Sequence, residues 1–252
     1  MIALRSFPTF ATVLILVAAC IGSDDPAGAK QDDASARRRD QAALEPLAGL
    51  VGPWKGTGQP QRGRAQGSWV ETGEWTWTLT AKSAALKLDV AKGKYLRKAI
   101  LQPLTKEGAF AIEATLADGS ERRFRGELTK SAGVKAVFTA DESSGDGVRR
   151  ITLTPLHDTR FLMLLEGRLD ADARFTRLAE VGYTRVGVAF AAADSAPVCI
   201  VTGGRGTTQV TYEGKTYWVC CSGCKDLFNE DPKAVLAEAA ERAKTKTKPA
   251  GK

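Results

Sequence analysis

From Trp54 to about Arg185, apolar and polar residues alternate with a period of two, in short runs parted by turn-forming residues. A strand places successive side chains on opposite faces, so this pattern gives a sheet one apolar face and one wet face. The clearest run is Glu74 to Thr80, where Trp75, Trp77 and Leu79 share one face and Thr76, Thr78 and Thr80 the other. Further runs span Leu86 to Val90, Tyr95 to Leu101, Phe110 to Leu116 and Arg122 to Leu128. They continue through Val134 to Thr139, Arg149 to Thr154, Phe161 to Glu166 and Phe175 to Thr184. Asp118 with Gly119, and the segment Gly145 to Gly147, supply hairpin turns. About nine or ten short strands without a long helix among them predict a mainly β domain over residues 45–187, closed or nearly closed as an antiparallel meander barrel. A sandwich is the alternative.

Leu47, Leu50, Gly52 and Trp54, followed by Gly56 and Gly58, resemble the opening of lipocalin-like β-barrels. Glu180, Val181, Gly182, Tyr183, Thr184 and Arg185 resemble their closing strand. The resemblance implies a Gly-x-Trp element whose indole crosses the barrel floor, with Arg185 lying over it. Trp54 is thus expected as a core plug rather than a ligand contact. The sole histidine, His157, falls at a turn with no second ligand or catalytic partner near it in sequence. No Ser/His/Asp set, Gly-rich phosphate loop or paired acidic motif stands out, which argues for binding rather than an enzyme.

The N-terminal segment carries Arg5 and then an apolar run from Phe10 to Ala19, too short to span a bilayer and ending in small residues. Residues 1–19 are therefore expected to be an export signal. Val17, Ala18, Ala19 and Cys20 resemble the lipobox of bacterial lipoproteins. That resemblance implies lipidation at Cys20, a membrane anchor, and an extracytoplasmic location at the periplasmic face or cell surface. Gly22 to Asp40 holds no large apolar residue and reads as a flexible tether, taken here over 20–44. A short helix interrupted by Pro46 is expected from Ala42 to Leu50. The net charge of +7 is spread among alternating acids and bases, apart from Arg37 to Arg39 and the tail from Lys244 to Lys252. No basic face forms for nucleic acid.

Four of the five cysteines lie near the C-terminus, past a small, polar linker over 188–197. Cys199 is followed by twenty residues, then Cys220, Cys221 and Cys224. Gln209 to Tyr212 and Lys215 to Val219 predict a hairpin turning at Glu213 and Gly214. Ser222 is expected to cap a helix running through Phe228, and Gly223 to permit a tight turn. Asp231 and Pro232 mark the start of a second helix reaching about Lys244, followed by a disordered basic tail over 246–252. Strand pairing would gather Cys199, Cys220 and Cys224 around one centre, and the helix N-terminus favours thiolate, the form that binds metal. Zinc would want a fourth ligand, whereas copper(I) is content with two or three thiolates. Cys221 is the candidate fourth, although neighbouring residues on a strand face opposite ways.

The order of Cys199 to Gly203, Tyr212 to Tyr217, Cys220, Cys221, Gly223, Cys224, Phe228, Asp231 and Pro232 resembles the TRASH and YHS group of small metal-binding domains. Over residues 198–245 this resemblance implies a treble-clef-like α+β cysteine knuckle that binds a transition or heavy metal. The module departs from the group in having no histidine. The expected function is metal sensing, sequestration or handover to a protein partner. Three rivals follow from the same residues. Two disulfides would suit an oxidising compartment, Cys221 with Cys224 has the spacing of a thiol oxidoreductase pair, and the barrel would carry a small apolar ligand if hollow.

Overall fold

The computed structural model describes residues 26–129, 133–187 and 197–247. The expected export signal over 1–19, the expected lipidation site Cys20, residues 188–196 of the expected linker and residues 248–252 of the expected tail lie outside them.

Ten strands form in chain order: β1 Gly52–Gln59, β2 Trp69–Leu79, β3 Ala84–Ala91, β4 Leu96–Pro103, β5 Ala109–Leu116, β6 Glu121–Thr129, β7 Lys135–Ala140, β8 Gly145–His157, β9 Arg160–Arg168 and β10 Thr176–Arg185. Each pairs antiparallel with the next, and β1 returns to β10 in a register that runs from Trp54 against Arg185 to Gln59 against Glu180. The barrel is therefore closed, and the sandwich alternative falls. Closure leaves no edge along the paired lengths, which is why so many short strands hold together. The segment from Gly145 to Gly147, expected as a turn, is instead the irregular start of β8.

The period-two pattern becomes the inner face. Trp75 and Trp77 are buried, and the inward residues of other strands add Phe110, Phe124, Phe138, Phe161 and Tyr183. Phe161 stacks on Tyr183 at 4.4 Å and meets Trp54 edge-on at 4.8 Å. These rings occupy the space in which a carrier would hold its ligand. At the floor, a 3-10 helix over Glu45–Leu50 covers the end of the barrel. Trp54 Nε1 donates to the carbonyl of Leu50 at 2.6 Å, and the Arg185 guanidinium lies 4.1 Å from the Trp54 ring. Arg185 also donates to the carbonyl of Val51 at 2.7 Å and to that of Gly49. Gly52 sits at φ +123°, and a Cβ there would fall 2.6 Å from the arginine. The floor motif thus needs its glycine as well as its tryptophan. His157 is exposed beside the β8–β9 turn, its ring Nδ1 hydrogen-bonded to Thr159.

One carboxylate faces this interior. Glu71 is buried and accepts from the Tyr183 hydroxyl and from Trp69 Nε1. Burial raises the Tyr183 phenol well above its ordinary value of 10, and the neighbouring Glu71 charge adds to the rise. The folded chain keeps a proton that the unfolded chain gives up above about pH 10, so this contribution is complete below that pH and is lost as pH rises past it. Tyr183→Phe should flatten the alkaline limb of stability measured by urea titration between about pH 9 and 11. A limb equally steep in both proteins would refute it.

Over its described residues, 26–44, the expected tether is a helix instead, and residues 20–25 lie outside the described residues. Pro26–Leu44 is a helix, α1, which runs directly into the 3-10 helix. Ala, Gln, Lys and Arg are good helix formers, and the anchorage comes from a charge rather than an apolar stripe. Buried Arg37 pairs with Glu238 at 2.6 Å, and Asp40 accepts from the backbone N–H of Ala84 at 3.1 Å. Leu44, fully buried, ties the end of α1 into the core.

The C-terminal module holds β11 Thr208–Tyr212, β12 Lys215–Val219, α2 Ser222–Glu230 and α3 Pro232–Thr247. Glu213 and Gly214 take φ of +47° and +73°, the two left-handed residues that a tight hairpin requires. Asp231 Oδ1 accepts from the N–H of Ala234 at 2.9 Å, the cap that its Asp-Pro sequence predicts. Two expectations change. The N-cap of α2 is Cys221 rather than Ser222, without a side-chain cap bond, and α3 continues to Thr247, so the tail assigned to 246–252 begins inside a helix. Nor does the module stand apart from the barrel, since α2 packs on β2 and α3 pairs with α1.

Candidate metal centre

The segment around Cys199 is held beside the hairpin by its backbone. Cys199 N–H donates to Gly204 at 2.7 Å, Gly203 N–H returns to Cys199 at 2.8 Å, and Ile200 N–H donates to Trp218 of β12 at 2.8 Å. Cys220 leaves the end of β12, and Cys224 stands in the first turn of α2. Strand, turn and helix therefore converge on one point. The Sγ atoms of Cys199, Cys220 and Cys224 all lie within 4.8 Å of one another, with Cys220 and Cys224 at 3.4 Å. A zinc–sulfur bond of about 2.3 Å sets a sulfur–sulfur edge near 3.8 Å in a tetrahedron and about 4.0 Å in a trigonal plane. The three sulfurs match that scale.

Cys199 and Cys224 are wholly inaccessible to solvent, and Val201, Val219 and Phe228 bury with them. Tyr217 lies against the Phe228 ring at 5.6 Å. Thiol hydrogen bonds divide the charge within this pocket. Contacts from Cys220, then Cys224, hold Cys199 and Cys221 far below the ordinary thiol range. The same contacts push Cys220 and Cys224 up, each through its bond to Cys199 first.

All four described cysteines are free thiols, and the 3.4 Å between Cys220 and Cys224 far exceeds the roughly 2.05 Å of a disulfide. Cys221 lies beside this group of three rather than within it. It is buried, its Sγ stands 4.0 Å from that of Cys220, and it accepts the backbone N–H of Trp77 at 3.3 Å. Two participants escaped sequence reading. Thr202 Oγ1 lies 3.6 Å from Cys220 Sγ, and a hydroxyl three residues past a cysteine carries no metal signature. The Trp77 amide is backbone, which sequence cannot flag.

No family model matches this chain, and neither does any curated protein. Among solved structures, it is similar to Rv2717c from M. tuberculosis, with a TM-score of 0.39 and 14% identity over 57% of this chain and 96% of that one.

Proposed function

We propose that this protein is an extracytoplasmic, lipid-anchored metal-binding protein rather than an enzyme. Its centre takes a soft or borderline ion, zinc or copper(I), on Cys199, Cys220 and Cys224, for sensing, sequestration or handover to a protein partner. The observation that carries this reading is the convergence of three buried sulfurs from distant positions at metal-ligand spacing. A disulfide or a redox pair needs two sulfurs at one point, and the third sulfur brought there from a distant position favours a metal. An N-terminal acyl anchor at Cys20 would hold the centre at the membrane surface, and the closed barrel gives it a rigid mount. The rings inside the barrel count against a hydrophobic carrier.

Native mass spectrometry of the full chain, purified under reducing conditions and offered zinc, should show one ion per chain. Cys220→Ser should lose it. A fully reduced chain that takes up no ion, or a mass two protons lighter for each cysteine pair with no metal, would sink the reading.

A further inference from the structure

The module touches the barrel at a particular place. β1 pairs with β2 only from Trp69 to Trp75, so the last residues of β2 run past the end of β1 and leave one edge of the strand without a ladder partner. A buried backbone N–H on such an edge must find an acceptor elsewhere. For Trp77 that acceptor is Cys221 Sγ, at 3.3 Å and out of solvent. At the same residue, α2 comes against the strand. A Cβ on Gly223 would fall 1.8 Å from the Trp77 carbonyl oxygen, a separation that no side chain tolerates. Gly223 carries no left-handed φ and stands in the first turn of α2, a place that does not itself call for glycine. Its justification is therefore the close approach to β2 and not a turn.

We infer that the barrel is part of the metal centre: the Trp77 amide on the open edge of β2 positions Cys221 as a fourth sulfur donor, and Gly223 is the residue that lets it do so. This rests on the three-sulfur reading above and deepens it. A donor hydrogen bond to a ligand sulfur fixes its direction and spreads its charge, the role that outer partners play around metal ligands generally. Cys221 would otherwise point along the strand away from Cys220. The amide holds Cys221 Sγ 4.0 Å from that of Cys220, beside the three sulfurs that lie within 4.8 Å of one another, so a small inward shift on metal binding would complete a four-sulfur set, which suits zinc over a two- or three-coordinate copper(I).

Cobalt(II) reports the count of thiolates through its sulfur-to-metal charge-transfer absorption. Titrated into the reduced full chain, it should give a four-thiolate spectrum. Cys221→Ser and Gly223→Ala should each remove about a quarter of that absorption, one sulfur in four, and weaken binding roughly 10- to 100-fold. The double variant should lose no more than either single one, because both act on the same sulfur. An unchanged spectrum in either single variant, or losses that add, would overturn the inference while leaving the three-sulfur centre standing. A reduced chain that binds no cobalt overturns both. Should Gly223→Ala fail to fold, the unaltered chain decides the matter when loaded with cadmium-113. A scalar coupling between the metal and the Trp77 amide proton is expected, since it must pass through an N–H···S–metal path. Its absence overturns the assignment.

Discussion

Replacing Cys224 by Ser should weaken zinc binding by roughly 100- to 1,000-fold, because a structural thiolate site worth about 10–16 kcal/mol divides that energy among three or four sulfurs. Cys224 is the ligand for which this is cleanest. It is fully buried in the first turn of α2, with its Sγ 3.4 Å from that of Cys220. A serine hydroxyl fits the same space but does not ionise near neutral pH, so the site keeps its shape and loses a charge. The barrel, closed through β1 and β10, contains none of these cysteines, and its far-ultraviolet circular dichroism should be unchanged. Competition against a chromophoric chelator measures the loss. A variant that holds zinc as tightly as the parent would remove Cys224 from the centre.

Strand alternation was legible because a closed barrel imposes one inward face on every strand. Trp75 and Trp77 alternate with Thr76 and Thr78 for that reason, and the turn at Glu213 and Gly214 and the Asp231 cap follow from equally local rules. The three-sulfur group was legible from spacing, since a hairpin must return its two ends to one place. What stayed hidden depends on partners far away in sequence. α1 looks like a tether because its hold is an ion pair between Arg37 and Glu238, 201 residues apart, and no periodicity announces that contact. Gly223 reads as a turn glycine until β2 is seen against it. The direction of Cys221 is likewise set by an amide 144 residues away.

Truncating Phe161 to Ala should cost about 4 kcal/mol, the usual range for deleting a fully buried aromatic side chain. The ring is 1% exposed and lies between Trp54 and Tyr183, so the cavity would open between the floor tryptophan and the tyrosine that bonds Glu71. Neither neighbour can fold into the gap. Trp54 is fixed by its bond to Leu50 and by Arg185, and Tyr183 by Glu71, so relaxation recovers little and the loss sits toward the high end. In a domain of this size the midpoint of thermal unfolding should fall by on the order of 10 °C. Zinc offers an internal control. Metal that binds only the folded chain stabilises it by an amount set by concentration and affinity, and α2 docks on β2 rather than on β9, where Phe161 resides. Calorimetry with and without zinc should therefore show the same metal-induced increment in unfolding free energy for the parent and for Phe161→Ala. Equal stability of the two metal-free proteins would show that the aromatic stack is not the barrel's keystone. A metal increment that vanishes in the variant would show that the floor and the cysteine centre are coupled through the barrel wall rather than at β2 alone.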